Sequence, residues 1–208
     1  MAMTPQRLDR IREVSNSRQT DLTVVLENVH DPHNISAVMR TCDSIGVGEI
    51  HVIYTEERLG EDNIKLGKRS SAGTRKWVDV KLYRTIEDCL SVLKPAHRFL
   101  GAFMDENAPT LFDLDLTIPT ALVFGNEKDG LSDEMLKHLD GKFFIPQVGM
   151  VKSLNISVAC AVSLYEAYRQ RTLSGNYADS TEVKNQSLFD EYVSRSTDKL
   201  YGTDSIEF

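Results

Sequence analysis

Five polar residues stand where a folded chain can use them for chemistry: Asn34, Arg40, Glu127, Ser153 and Asn155. Ser153 and Asn155 follow Gly149, a turn former, and run into Leu154, Val158, Ala161, Val162 and Tyr165, which recur at helical spacing. A helix starting there presents side-chain oxygens and unpaired backbone N–H groups to a polar ligand, with Ser153 as its natural cap. Glu127 lies in Gly125-Asn126-Glu127-Lys128-Asp129-Gly130, where two glycines bracket a polar tetrapeptide just after an apolar run. Glycine lets backbone amides come close to a ligand. Asn34 can cap a second helix with Ile35, Val38, Met39, Cys42 and Ile45 on its apolar side and Gly46 at its end. Arg40 follows Asn34 by six positions, so the two share no helix face. Both can border one cavity if Asn34 sits at the helix mouth.

Several chemistries are absent from the pattern. No Gly-x-Gly-x-x-Gly follows an apolar run, and neither a Gly-x-x-x-x-Gly-Lys-Ser/Thr loop nor a Gly-x-Ser-x-Gly elbow occurs. Nicotinamide and ATP enzymes of the usual kinds are thereby disfavoured. His30 and His33 flank Asp31-Pro32, which makes a turn rather than a metal half-site, and no second pair supports a metal centre. Cys42, Cys89 and Cys160 are far apart, odd in number and set in apolar-periodic segments, and so read as buried free thiols.

The elements that must carry these residues alternate between strand and helix. Thr4-Pro5 opens an amphipathic helix to about Ser17, with Leu8, Ile11 and Val14 on one side. Leu22 to Leu26 is a continuous apolar run, as expected of a strand buried on both faces. Further strands are expected at 50–54, 77–83, 99–104, 120–124 and 142–145. Helices are expected from Asn34, from Thr85 to about Lys94, from Ser132 to about Leu139, and from Ser153 to about Arg171, with a short one near 63–68 and a helical turn near Leu111. This order predicts an α/β fold, a mostly parallel sheet with helices on both faces. In such sheets ligands bind at the carboxyl ends of the strands. The loops after 22–26 and after 120–124 hold Asn34 and Glu127, the loop after 142–145 enters the helix start with Ser153 and Asn155, and Arg40 lies a turn and a half into the helix after Asn34. Residues 1–20 read as an N-terminal basic helix, 21–171 as the main domain and 172–208 as an acidic, loosely attached tail with a helical turn near Leu188 to Val193.

Of the 208 residues, 41% are hydrophobic and 26% charged, ordinary values for a globular protein. No apolar stretch is long enough to span a bilayer, and charged residues and Pro5 interrupt any N-terminal signal core, so the chain reads as cytoplasmic. The net charge of −7 argues against a uniformly basic surface. Its distribution is uneven. Residues 63–84 hold seven cations (Lys65, Lys68, Arg69, Arg75, Lys76, Lys81, Arg84) against Asp79 alone, whereas residues 172–208 hold seven anions and three cations. A basic face on an acidic protein and a solvated surface with scattered cations fit these counts equally well. Trp77 reads as core.

Three segments together resemble a known family. They are Asn34-Ile35-Ser36-Ala37-Val38-Met39-Arg40-Thr41, then Phe124-Gly125-Asn126-Glu127-Lys128-Asp129-Gly130, then Ile145-Pro146 through Ser153-Leu154-Asn155-Ile156-Ser157-Val158-Ala159. In order and spacing they resemble the three motifs of the SpoU/TrmH branch of the SPOUT RNA 2′-O-ribose methyltransferases, over roughly residues 5–171. The resemblance implies a trefoil knot in the C-terminal third, S-adenosylmethionine held there mainly by backbone groups, and a homodimer with the active site near the subunit interface. By carry-over, Gly125, Ile145, Met150 and Leu154 line the cofactor site, with the loop after Leu100 as a further wall. Arg40 becomes the catalytic arginine. A guanidinium keeps its proton, so a phosphate clamp that also stabilises the developing alkoxide suits it better than a general base. Asn34 would orient Arg40, Ser153 and Asn155 would position ribose or methyl donor, and Glu127 would hold its loop or fix a cation. Arg7, Arg10, Arg12, Arg18, Lys65, Lys68, Arg69, Arg75 and Lys76 would track tRNA phosphates. The substrate implied is the D-loop guanosine of tRNA. Another tRNA or rRNA position, or a catalytically silent RNA-binding protein on this scaffold, remain as alternatives.

Overall fold

The computed structural model describes residues 3–57, 59, 73–151, 153–177 and 183–197. The short helix expected near 63–68, with Lys65, Lys68 and Arg69, lies outside them.

Apolar runs become the strands of one sheet: β1 (Leu22–Glu27), β2 (Glu49–Ile53), β3 (Asp79–Tyr83), β4 (Arg98–Ala102), β5 (Thr120–Phe124) and β6 (Gly141–Phe143). Their order is β3-β2-β1-β5-β4-β6, and all pairs are parallel. The expected parallel sheet is present. The helices are α1 (Pro5–Asn16), α2 (Pro32–Ile45), α3 (Ile86–Leu93), α4 (Asp133–His138), α5 (Ile156–Leu173) and α6 (Gln186–Thr197), with 3₁₀ turns at Thr74–Lys76 and Leu111–Asp113. β1 alternates its side chains between two cores. Val24 and Leu26 join Ile35, Val38 and Met39 of α2 and Leu164 and Ala167 of α5 on one face. Val25 joins Ile86 and Cys89 of α3 and Met135 of α4 on the other. Each such side chain contributes about 1.5–3 kcal/mol by leaving water, which is why β1 is apolar at nearly every position. Strand order reverses between β1 and β5, which stay paired as far as Leu26 and Phe124, so the segments beyond them leave the sheet side by side.

β6 is shorter than the 142–145 expected. Phe144 leaves the sheet to pair with the preceding loop: the Leu111 N–H donates to the Phe144 carbonyl at 2.8 Å, and the Phe144 N–H to the Pro109 carbonyl at 3.1 Å. β3 begins at Asp79, because Thr74–Lys76 first close a 3₁₀ turn.

The largest correction concerns the tail. In place of one loose turn, residues 186–197 form α6, which packs on α1 and on the Thr74–Lys76 turn. Tyr192 is buried and meets half-buried Trp77 edge-on at 5.4 Å. Arg195 pairs with Asp79 at 2.8 Å. Long-range contacts such as these hold a segment whose polar composition conceals its apolar stripe. Arg18 is corrected too. Its guanidinium is buried and donates to Tyr192 Oη (2.8 Å), Asp43 (2.7 Å) and the carbonyls of Val47 and Trp77 (3.1 and 3.0 Å). It joins α1's end to α2 and α6, with four of its five N–H donors used and its side chain 2% exposed, so it is out of a phosphate's reach.

Arg171 is 0% exposed. It donates to Asp21 (2.5 Å), Gln19 Oε1 (3.0 Å) and the carbonyls of Leu116 and Ile118 (2.8 and 3.1 Å). The end of α5 is thereby tied to the entries of β1 and β5. Among the described residues no helix is long and apolar enough to cross a membrane.

All three thiols are free and buried, as the sequence suggests. Burial pushes Cys89 up to about 12 and raises Cys42 and Cys160 as well. A raised thiol is protonated and inert at pH 8. Native protein is therefore expected to release no chromophore from a disulfide reagent at that pH, and three equivalents once unfolded in guanidinium. Arg171→Ala leaves Asp21 and two carbonyls unpaired and is expected to cost on the order of 3 kcal/mol, read by urea denaturation.

Candidate active site

The site's cavity is framed by the segments that follow β4, β5 and β6 and by the start of α5, and the segment after β1 reaches it through Asn34. Two helix starts differ from expectation. Asp31, not Asn34, caps α2: its carboxylate accepts from the His33 N–H at 2.8 Å, and Pro32 takes the first helical position. Asn155, not Ser153, caps α5, accepting from the Ser157 N–H at 2.8 Å. Both shifts free a side chain. Asn34 moves into the first turn of α2, mostly buried, and Ser153 stays on the loop, exposed.

Asn155, Asn34 and Glu127 then form one hydrogen-bonded chain. The Asn155 amide donates to Asn34 Oδ1 at 3.2 Å, and the Asn34 amide donates to Glu127 Oε1 at 2.5 Å. Orientation follows from chemistry. An ionised carboxylate only accepts, so Asn34 must turn its NH₂ toward Glu127 and its oxygen toward Asn155. Asn155 must then donate, which leaves its own oxygen for Ser157, whose hydroxyl also donates to it at 2.6 Å. One residue from each of the three loops is locked to the next.

The Gly125–Gly130 loop is held rigidly. Asn126 and Gly130 exchange backbone hydrogen bonds, both 3.1 Å, and Asn126 Oδ1 accepts from the N–H groups of Lys128 and Asp129 at 2.9 and 2.7 Å. Gly130 has φ 72°. A Cβ on Gly125 would lie 2.0 Å from the Gly130 carbonyl carbon, so only glycine fits. Nearby, Tyr54 donates to the Val29 carbonyl at 3.0 Å. Burial, and secondarily the Glu127 charge, push its phenol up.

Between the loops lies a cavity of about 590 Å³, within the usual range for small-molecule sites. Gly125, Ile145 and Leu154 line it as expected, with Phe124, Ala102 and Ala159 completing the apolar wall. Glu127, Ser153 and Asn155 are at its polar side. Met150 is not part of it. At 99% exposure it has no packing partner among the described residues. Arg40 does not line the cavity either. It is exposed on α2, about 9 Å along the helix axis from Asn34 at 1.5 Å per residue. Ala102, Phe103 and Met104 supply the further wall expected after Leu100. Asn126 had a signal, its place within the bracketed loop; Ala159 had none in its residue type.

The remaining basic candidates lie away from the cavity. On α1, Arg7 sits over the Trp77 ring (5.4 Å to its centroid) and donates to Ser196 at 3.1 Å, Arg10 pairs with Glu13 at 3.1 Å, and Arg12 pairs with Asp9. Arg75 and Lys76 are half-buried on the neighbouring 3₁₀ turn.

Residues 21–165 match the sequence pattern of the SpoU rRNA methylase family. The chain belongs to this family. The tRNA (guanosine(18)-2′-O)-methyltransferase of Escherichia coli K12 is 43% identical to this SpoU methylase over 176 residues, which cover 84% of this chain and 75% of the relative. Among solved structures, the TrmH/SpoU tRNA modifying enzyme of A. aeolicus superposes with a TM-score of 0.80 at 33% identity, covering 93% of this chain and 98% of that one. The SpoU methyltransferase AviRb of Streptomyces viridochromogenes, in complex with AdoMet, gives 0.64 at 27% identity, covering 72% of this chain and 57% of that one. The mostly parallel sheet of this SpoU methylase is thus the family's sheet, and the chain is an RNA methylase.

Gly125→Ala forces the loop away from Gly130. Overpacking of this kind costs about 1–3 kcal/mol, and a drop of roughly 5 °C in Tm is expected, read by calorimetry.

Proposed function

We propose that this chain transfers a methyl group to the ribose 2′-oxygen of a guanosine in the D-loop of tRNA, with S-adenosylmethionine as donor. The observation that carries the reading is the Asn155–Asn34–Glu127 chain at the side of the apolar cavity. The names borne by relatives of 43% identity in E. coli and Thermus thermophilus support the substrate.

The residues fit the donor. An adenosyl group needs an apolar slot with close backbone, which Ile145, Leu154 and the Cβ-free Gly125 offer. When bound, S-adenosylmethionine supplies a methyl group activated on a sulfonium. The chain's own residues do the rest. Asn155, oriented through Asn34 by Glu127, keeps an N–H for a ribose or donor oxygen, and Ser153 adds a hydroxyl beside it. Arg40 clamps the adjacent phosphate and stabilises charge growing on the ribose oxygen. Arg7, Arg10, Arg12, Arg75 and Lys76, with Lys65, Lys68 and Arg69, contact tRNA phosphates.

A second copy of this chain completes the site. Leu154, Val158 and Tyr165 make an exposed stripe that starts at the cavity and runs along α5, and Met150 and Val151 project beside it. Covering them by the partner would bring an outlying Arg40 to a cavity. The threading of residues 144–155 through the 103–119 loop as a trefoil knot is supported by Phe144, which pairs with both Pro109 and Leu111 inside that loop.

Mapping 2′-O-methyl groups on tRNA from cells with and without this protein should show loss at one D-loop guanosine; an unchanged map rejects the reading. Arg40→Ala should lower turnover by about 10²–10³-fold with donor affinity intact by calorimetry. Val158→Asp should shift the species seen by analytical ultracentrifugation from dimer to monomer.

A further inference from the structure

Glu27 is the last residue of β1, one position beyond the pair Leu26–Phe124 that sets β1 against β5. It is 1% exposed. Both of its oxygens are taken by one residue: Oε2 accepts from the Ser132 N–H at 2.9 Å, and Oε1 from the Ser132 hydroxyl at 2.5 Å. Among the described residues no cation pairs with it. A carboxylate drawn out of water this way carries a penalty of several kcal/mol that two hydrogen bonds offset only in part. An apolar side chain would fill the same space without that penalty. What the carboxylate adds is direction, a fixed pair of acceptors at the end of the central strand.

Ser132 is where the Gly125–Leu131 loop re-enters α4. Its oxygen caps that helix, accepting from the Met135 N–H at 3.1 Å, while its proton goes to Glu27. Both of its functions are therefore committed. The loop is thus pinned at two points. At Gly125 a side chain has no room, and at Ser132 a buried carboxylate grips both backbone and hydroxyl. Glu127 lies between them, and its reach to Asn34 at 2.5 Å depends on where both ends sit.

We propose that Glu27 is a positioning residue for methyl transfer. It touches neither substrate nor donor, but sets the β5–α4 loop against β1 so that Glu127 meets Asn34 and the Gly125 wall keeps its distance from the donor. The inference rests on the methyltransferase reading above.

The test uses the full-length chain with S-adenosylmethionine and tRNA, and the variants E27Q, S132A, E127Q and E27Q/E127Q. Glutamine keeps the shape of Glu27 but sets an NH₂ against a donor that needs an acceptor. The expected result is kcat lower by about 10–100-fold in E27Q, the scale of a misplacement of about 1 Å, with KM for tRNA unchanged within about twofold. S132A should follow it, and stands in for E27Q should that variant not fold. Because Glu27 acts through Glu127, the double variant should be no slower than the slower single variant within about threefold. Multiplying effects, or an E27Q that matches the native chain in both kcat and donor affinity, overturns the inference. A native chain that neither binds the donor nor methylates tRNA overturns the reading beneath it as well; one that does both while E27Q is indistinguishable overturns this inference alone.

Discussion

An acceptor-only carboxylate governs the site. Because Glu127 can only accept, Asn34 must present its amide to it, and Asn155 must in turn donate to Asn34. Reversing any one amide would set like against like. The arrangement needs residues 93 and 121 positions apart to arrive within hydrogen-bonding distance, and only the sheet order makes that possible. β1 and β5 are neighbours, so the loops that follow them open side by side. α5 returns over the same face to pack on α2, bringing Asn155 to Asn34.

The same constraint explains why the site's backbone is so tightly specified. Gly125 has no room for a Cβ, Asn126 ties its own loop, and Asp31 and Asn155 start their helices where the crevice needs N–H groups. Asn28 leaves β1 with φ 51° and exchanges two hydrogen bonds with Thr55, at 2.9 and 3.0 Å. That turn sends the chain out of the strand toward α2. Rigid loops suit a reaction in which a weak nucleophile has to be aligned rather than strongly activated.

Charge plays two separate parts. Arg18, Arg171 and Arg195 are buried and bind carbonyls and carboxylates of segments distant in sequence. They are joints at the end of the molecule opposite the cavity, where strands begin. The cations of α1 and the 3₁₀ turn, exposed or half-buried, lie near Trp77, and Arg10 and Arg12 already pair with neighbouring carboxylates. A residue count cannot separate these roles, because both use the same side chain and differ only in what surrounds it.

Apolar periodicity was enough to find β1 and β5 nearly to the residue and the body and end of α2, since burial on two faces or one leaves a direct imprint on side-chain type. The bracketing glycines and the polar residues of the three motifs were equally legible, because backbone room and hydrogen-bonding capacity are properties of the residue itself. Other features had no local trace. Asp31 and Asn155 cap their helices in place of Asn34 and Ser153; all four are good cap types, so residue type could not choose between them, and only at Asp31 does the proline that follows mark the choice. α6 is polar by composition and helical by virtue of Tyr192 and Arg195 finding partners on β3 and Trp77. Amino-acid type alone named the polar groups available for chemistry and marked β1 and β5 as buried. Which of those groups meet was left to strand order and helix packing, because proximity between residues far apart in the chain is a property of the assembled sheet and of no single segment.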